Sequence, residues 1–258
     1  LFELSLNNLY DFWICEELGF SNEKIRKFDI REELPDDISD LNILVLTGKE
    51  PNINTQKLPL FGINENLFKT FQDRPNLITK KEVRIQLLAD LELPEHGILW
   101  DIGAGCGSIG LEALKLRPNL RLFCIDKRLG TKNIITENAK RLAVKPEKII
   151  EDDIVHLLKI ESNTSLIKPN RVIIGGCNKK TKLDVIRKLL KSMEKESIFV
   201  IPLIAYEVVN EIKKIFEEQN CEVFLNLIQT YKGISIGEGT RFEPNNPVFI
   251  IKAKKLTS

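Results

Sequence analysis

The chain has 258 residues, of which 43% are hydrophobic and 29% charged, and its formal net charge at pH 7 is +1. This composition is typical of a globular protein with a core and excludes a disordered chain, and the near-neutral charge argues against a broad surface for nucleic acid or acidic lipid. No apolar run reaches the roughly 18 residues that span a bilayer, and the N-terminus lacks a secretory signal, so we expect a cytoplasmic protein.

The first part of the chain gives short patterns without a core of its own. The stretch LYDFWICEEL predicts a strand that runs into an acidic turn. The next stretch, SNEKIRKF, begins with a residue typical of helix caps, and LNILVLTG predicts a short buried strand. Residues 1–47 are too few to bury a separate core. Residues 48–68 are rich in Pro, Asn and Lys without a period, which predicts a linker.

From residue 69 onward, strand and helix patterns alternate. The first helix, TKKEVRIQLLADLEL, begins with Thr79 and Glu82 at the spacing of a capping box. Apolar strand segments and helix segments then follow in turn, which predicts a mostly parallel α/β sheet. The last two strands, CEVFLNLIQTY and NPVFIIKAKK, have only a Gly-rich loop between them and should pair antiparallel. Residues 69–258 therefore predict one domain with a seven-stranded sheet.

A glycine-rich turn, WDIGAGCGSIG, connects the first strand of this domain to a helix. Gly103, Gly105 and Gly107 are spaced G-x-G-x-G, whereas a dinucleotide site has G-x-G-x-x-G and would need glycine in place of Ser108. Glycine here lets the backbone adopt positive φ and approach a ligand closely, although a purely structural turn has the same pattern. Asp101 precedes the turn, where it would either touch the ligand or hold the loop amides.

Two further carboxylates end the next two strands. Asp126 ends LRLFCID, where a carboxylate can accept hydrogen bonds from both ribose hydroxyls of a nucleoside cofactor. Asp153 follows IIEDD, where it would meet an adenine edge, cap the helix IVHLLK, or do both. Together with the glycine turn and the sheet order, these residues resemble the Rossmann-like class I S-adenosylmethionine methyltransferases. That resemblance implies S-adenosylmethionine as the cofactor and S-adenosylhomocysteine as its product.

Further stretches narrow the resemblance to one family. LPLFGI, LITKKEVR, DIGAGCGSIGLEA, RVIIGG and GEGTRFEPNNPVFII together look like the C-terminal half of precorrin-6Y methyltransferase (decarboxylating), over residues from about 58 to 256. The Asn/Asp-Pro-Pro-aromatic motif of many N-methyltransferases is absent after RVIIGG. The chain departs from the family there, because CNKKTK stands where the family has small residues. Residues 1–47 resemble the end of the fused N-terminal carbon-5 methylase, which has a tetrapyrrole-methylase fold.

The resemblance implies a reaction and a set of candidate residues. The reaction is methylation of carbon 15 of a precorrin, an intermediate of cobalamin biosynthesis, with decarboxylation of its ring C acetate. No catalytic residue is singled out, and the implied partner is the tetrapyrrole alone, with no nucleic acid or membrane. Stand-alone members of the family form tetramers, which implies a homo-oligomer. The cofactor-binding candidates are Thr79, Asp101, Gly103, Gly105, Gly107, Asp126, Asp153 and Gly175. The substrate-binding candidates are Gly176 and the basic residues Arg84, Lys179, Lys180, Lys232 and Arg241.

The five cysteines and two histidines give no sign of a metal site. No two cysteines lie within four residues of each other, and each histidine stands alone, so neither a zinc spacing nor a redox pair is present. We expect reduced, mostly buried thiols. Two other functions fit the same fold: a methyltransferase acting on RNA or another small molecule, and a non-catalytic subunit that keeps only the fold.

Overall fold

The computed structural model describes residues 10–29, 35–48, 57–75, 77–159, 167–237 and 239–257. It divides into two compact units, Leu1–Ile53 and Asn54–Ser258. Among the residues described, no helix is both long and apolar enough to cross a membrane.

The smaller unit contains a three-stranded antiparallel sheet of order β2-β1-β3. Its strands are β1 (Tyr10–Glu16), β2 (Lys24–Phe28) and β3 (Asn42–Gly48). The predictions made from the sequence for this unit were wrong on two points. SNEKIRKF leads into a strand rather than a helix, because β2 pairs with β1 along its length. The apolar strand β3 forms, but all its residues are exposed, since it pairs with β1 alone at the edge of the sheet.

The larger unit is an α/β domain around a seven-stranded sheet of order β6-β5-β4-β7-β8-β12-β9. The sheet strands are β4 (Gly97–Ile102), β5 (Leu120–Asp126), β6 (Lys148–Glu151), β7 (Arg171–Ile174), β8 (Ile198–Leu203), β9 (Cys221–Ile228) and β12 (Val248–Lys255). The helices are α1 (Lys81–Asp90), α2 (Ser108–Leu116), α3 (Thr131–Leu142), α4 (Ile154–Leu157), α5 (Lys179–Ser192) and α6 (Tyr206–Glu218). Apolar side chains on both faces of the sheet are buried under these helices.

The strand order places a switch point beside β4. The chain moves outward from β4 through β5 to β6, then returns to the other side of β4 for β7 and β8. These five strands are parallel, while β12 pairs antiparallel with both β8 and β9. The predicted mostly parallel sheet with a final antiparallel pair is confirmed. Ligands of open α/β sheets bind at the carboxyl ends of strands beside such a switch point.

The segment predicted as a Gly-rich loop between the last two strands is instead a β-hairpin. Strands β10 (Tyr231–Ile236) and β11 (Gly239–Pro244) pair antiparallel as a separate two-stranded sheet. The glycines misled the prediction because Gly233 lies inside a strand, opposite Phe242, and only Gly237, with φ of 55°, belongs to the turn.

The described part of the predicted linker packs into the larger unit. Residues 49–56 lie outside the described residues, but Ile63 is fully buried in the core that contains α1 and α2. Its backbone N–H and that of Gly62 donate to the Glu112 carboxylate at 3.1 and 2.9 Å. The larger unit therefore includes the described part of the predicted linker. The assignment of residues 1–47 to a methylase remnant stays a prediction.

Candidate functional site

A cleft of about 1230 Å³ opens at the carboxyl ends of the parallel strands. Its walls come from the segments that follow β4, β5, β6, β7 and β8, together with residues that precede α1 and flank β12. The cleft thus lies at the switch point, where the sequence placed the site.

The glycine turn after β4 forms the floor of this cleft. Gly103 donates its N–H to the Ile125 carbonyl at 2.8 Å and has φ of 71°; a Cβ there would lie 2.6 Å from the Gly176 nitrogen. Only glycine fits, because any side chain would push the β4 and β7 turns apart. Gly105 also has positive φ, but no atom lies within 4 Å of its would-be Cβ. The Gly105 backbone is therefore open to a ligand.

Asp126 ends β5 and faces this turn. Its Oδ2 accepts a hydrogen bond from the Gly105 N–H at 2.8 Å, and its Oδ1 accepts one from the Arg128 N–H at 2.9 Å. A carboxylate oxygen has two acceptor positions, so each oxygen of Asp126 retains one for a ligand hydroxyl. The side chain lines the cleft, as the sequence predicted.

Asp153 also lines the cleft and caps α4. Its Oδ1 accepts from the Val155 N–H at 2.9 Å, which confirms the predicted cap. Its Oδ2 lies 3.6 Å from the Lys127 ammonium. The cap uses only one oxygen, so contact with an adenine edge stays compatible with it and stays a prediction.

Asp101 and Gly107, two predicted cofactor ligands, do not line the cleft. Asp101 is 1% exposed and its Oδ2 accepts from the Gly110 N–H at 3.0 Å. Burial, with a smaller effect from the Asp126 charge, raises the pKa of Asp101 to about 7. Gly107 immediately precedes α2 and has φ of 78°, and a Cβ on it would lie 3.2 Å from the Ile135 side chain. Both residues support the turn from beneath, which is one of the two roles predicted for Asp101, and contact of either residue with the cofactor stays a prediction.

Arg84, which was predicted to bind substrate, is buried and bonded within the protein. The side chain is 0% exposed, its Nε donates to Glu112 Oε1 at 2.7 Å, and its Nη1 donates to the Thr79 carbonyl at 2.5 Å. A second nitrogen, Nη2, donates to the Ile63 carbonyl. These three bonds give the N–H donors of the guanidinium acceptors inside the protein, away from the cleft wall.

Thr79 lines the cleft, but it does not cap α1. The helix begins at Lys81 after Lys80, and no side chain of the N-cap residue bonds to it. The carboxylate of Glu65 takes the place of a cap, accepting the Lys81 N–H at 2.7 Å. The capping-box prediction was wrong because a distant segment supplies the acceptor.

The other predicted residues divide between the cleft and the surface. Gly175, Gly176 and Lys179 line the cleft, and Lys179 pairs with Glu211 at 2.5 Å. Arg241 does not line it, because it lies on the exposed hairpin strand β11 and pairs with Glu243. Two further candidates, Lys180 and Lys232, are exposed and also lie off the cleft wall.

The sequence did not predict two features of the cleft. One is Lys182, a buried lysine on the cleft wall in α5, whose only sequence signal is its place in the run KKTK. The other is an apolar wall that no single motif predicts, because its six members come from four separate stretches of the chain. It is formed by Leu77, Ile78, Ile204, Val208, Ile228 and Val248.

The described residues show neither an activated thiol nor a group of metal ligands. All five cysteines are free, and burial raises the pKa of the cleft-lining Cys177 thiol. No three His, Cys, Asp or Glu side chains among the residues described are grouped so as to hold a metal ion. The cleft therefore offers carboxylates, backbone amides, cations and an apolar wall.

Residues 69–255 match a protein-family model described as a precorrin methyltransferase domain. The chain is 33% identical over 203 residues to a probable cobalt-precorrin-6B C(15)-methyltransferase (decarboxylating) of Saccharolobus solfataricus, which covers 75% of this chain and 96% of that protein. A similar relative from Methanococcus maripaludis carries the same name and is 31% identical, with 68% of this chain and 91% of that protein covered.

Among solved structures, a precorrin-6y C5,15-methyltransferase from Geobacter metallireducens superposes with a TM-score of 0.69 at 29% identity, covering 77% of this chain and all of that one. A precorrin 8W decarboxylase from Methanobacterium thermoautotrophicum gives a TM-score of 0.64 at 20% identity, over 74% of this chain and 98% of that one. The second likeness shows the shared fold.

Proposed function

Since this chain belongs to the family of precorrin methyltransferase domains, we propose that it methylates carbon 15 of a precorrin with S-adenosylmethionine and decarboxylates the ring C acetate. The observation that carries the proposal is the cleft at the switch point, where a glycine turn and Asp126 lie beside a large apolar wall. Its relatives are named for this activity on cobalt-precorrin-6B.

The acidic side of the cleft fits S-adenosylmethionine. Asp126 would accept the ribose hydroxyls with the acceptor positions that its two backbone bonds leave. Asp153 would receive the adenine edge, and the open backbone at Gly105 would hold the amino acid part. When bound, this cofactor supplies a methyl group that its sulfonium has already activated.

The apolar side of the cleft suits a flat tetrapyrrole. Ile204 and Val208 follow β8, and Ile228 and Val248 border the antiparallel strands, so the macrocycle would pack on aliphatic side chains. The chief task of these residues is alignment, which holds the ring carbon in line with the methyl group. In the decarboxylation, the bond between the acetate methylene and its carboxyl carbon breaks and carbon dioxide leaves. The electron pair enters the conjugated ring system, and a proton from solvent completes the new methyl group.

The proposal is tested in two steps with purified protein. Calorimetric titration with S-adenosylmethionine comes first, and absence of binding would remove every methyltransferase function, leaving the fold-only subunit. Incubation with precorrin-6B, with and without cobalt, and with methyl-labelled cofactor comes second. We expect one labelled methyl per macrocycle together with loss of carbon dioxide by mass spectrometry. Cofactor binding without either change would point to a different substrate, such as RNA.

Asp126→Ala should weaken S-adenosylmethionine binding by about 1–3 kcal/mol, or roughly 5- to 150-fold, because the ribose hydroxyls lose their acceptor. The Gly105 N–H also loses its partner, so the turn becomes less well held. Calorimetry measures the change, with Asp184→Ala on α5, off the cleft wall, as the control. Equal affinity in the Asp126 variant and the control would show that another carboxylate binds the ribose.

Three predictions from the sequence stay part of this proposal. We expect a homo-oligomer, a tetramer by family resemblance, in the cytoplasm and without a nucleic acid partner. Exposed apolar residues on β9 and β10, including Phe224, Leu227 and Tyr231, favour contact with a second copy. Light scattering after size exclusion measures the assembly, and a monomer at micromolar concentration would contradict it.

A further inference from the structure

Lys182 is a buried lysine in the wall of the cleft. It lies in the first part of α5, its residue exposure is 6%, and its Nζ donates to the Gly175 carbonyl. Gly175 and Gly176 form the turn after β7 that touches Gly103 of the glycine turn. The ammonium therefore sits where the cofactor floor meets the side of the cleft that leads to β8.

Burial without a counter-ion distinguishes Lys182 from the other cations on the cleft wall. Three of these are paired, Lys127 with Asp153, Arg128 with Asp73, and Lys179 with Glu211, and the other two, Arg74 and Lys80, are exposed. Within the described ranges, no carboxylate forms an ion pair with Lys182, and its one polar partner is a carbonyl. Burial accordingly lowers the pKa of its ammonium.

An unpaired buried ammonium costs free energy, and its place in the fold adds to the cost. Taking a charge out of water is unfavourable unless an opposite charge compensates. The N-terminal end of a helix carries a partial positive charge, and the first turn of α5 has no acidic residue to offset it. An anion that enters the cleft would relieve both effects. The Lys182 Nζ has three N–H donors and uses one for the Gly175 carbonyl, so two remain.

The carboxylates on the cleft wall all lie on one side of β4. Asp126, Asp152 and Asp153 follow β5 and β6 there, together with the paired cations Lys127 and Arg128. The described lining residues that follow β7 and β8 include Lys179 and Lys182 but no carboxylate. The acidic side suits a cofactor that offers hydroxyls and a cation, and the basic side suits a ligand rich in carboxylates.

We infer that Lys182 is a substrate-binding residue whose ammonium pairs with a peripheral carboxylate of the tetrapyrrole. The inference rests on the proposed function, because that function supplies the polycarboxylate ligand. The entering carboxylate replaces the missing counter-ion and fixes the macrocycle against the turn at Gly175 and Gly176. Lys182 is thereby the substrate contact that the run CNKKTK contributes to the cleft.

The test compares Lys182→Met with Lys191→Met in the full chain. Both variants remove one positive charge from α5, but Lys191 is exposed and off the cleft wall. With precorrin-6B as the varied substrate, we expect the Lys182 variant to raise KM about 10- to 100-fold, the size of a lost charge-assisted hydrogen bond. The control should stay within about twofold, since exposed charges contribute little. Lys182→Arg should recover part of the loss.

Two further measurements separate this role from a structural one. The dissociation constant for S-adenosylmethionine should stay within about twofold of the wild type, since the lost group faces the substrate. The melting temperature of Lys182→Met should be equal to or above that of the wild type, because removing an unpaired buried charge is not destabilising. Unchanged KM, or a lower melting temperature with weaker cofactor binding, would make Lys182 a tether for Gly175 and overturn the inference. Wild-type protein without turnover of precorrin-6B would instead refute the proposed function, so the two failures are distinct.

Discussion

Replacing Glu112 by Gln is expected to lower the free energy of unfolding by about 3–5 kcal/mol, the cost of leaving a buried charge without its partner. Glu112 and Arg84 are both 0% exposed, and the carboxylate also accepts the backbone N–H groups of Gly62 and Ile63. Glutamine keeps the shape of the side chain, but its amide NH₂ would face a donor, and the guanidinium would stay charged. Urea unfolding measured by tryptophan fluorescence gives the change.

A matched control and a double variant make this expectation specific. Glu147→Gln breaks a 3.0 Å ion pair with Arg121 whose partners are both more than 40% exposed, so solvent screening should leave the free energy of unfolding nearly unchanged. Combining Glu112→Gln with Arg84→Met removes the stranded charge and should recover part of the loss. Equal costs for the Glu112 and Glu147 variants, or a double variant with the summed loss, would contradict a coupled buried pair.

This pair also links stability to the site. Arg84 holds the Thr79 carbonyl, and Thr79 lines the cleft just before α1. The segment at Gly62 and Ile63, which the sequence assigned to a linker, is bound to α2 through the same carboxylate. Loss of the pair should therefore loosen one edge of the cleft before the sheet unfolds.

The parts of the site that the sequence predicted are those coded by neighbouring residues. The spacing of Gly103 and Gly105 reflects backbone conformation, and Asp126 is positioned by the strand that it ends, so both follow from local pattern. Strand and helix alternation fixes the sheet order closely enough to place the cleft.

The missed parts depend on contacts between distant residues. Arg84 looks like any exposed helix lysine or arginine until Glu112, 28 residues later, is placed against it. Lys182 belongs to a basic run of ordinary appearance, and only burial in the cleft wall separates it from Lys180. Burial of a polar residue is set by tertiary packing, which a single sequence does not report.

In the wild type, the free energy of unfolding should fall by up to about 4 kcal/mol as the pH of the solution rises. Asp101→Asn is expected to remove this loss. Burial raises the folded-state pKa of Asp101 to about 7 from an ordinary value of 3.8. Below pH 3.8, both the folded and the unfolded chain keep the proton, so the contribution to stability is fully present. Between that pH and about 7, only the unfolded chain releases the proton, and the free energy of unfolding falls by about 1.4 kcal/mol per pH unit.

Asparagine lacks this titration and keeps the acceptor for the Gly110 N–H. Urea unfolding of both proteins is measured at intervals from about pH 5 to about pH 8. Over this range the free energy of unfolding of the variant should rise by roughly 2–3 kcal/mol relative to that of the wild type, and the difference should level off above about pH 7. Because Asp101 lies beneath the glycine turn and off the cleft wall, the variant should also bind S-adenosylmethionine as the wild type does at about pH 7. Parallel stability profiles would mean that the Asp101 carboxyl titrates alike in both states. Lost cofactor binding with unchanged stability would instead favour contact with the ligand, the other role predicted for Asp101.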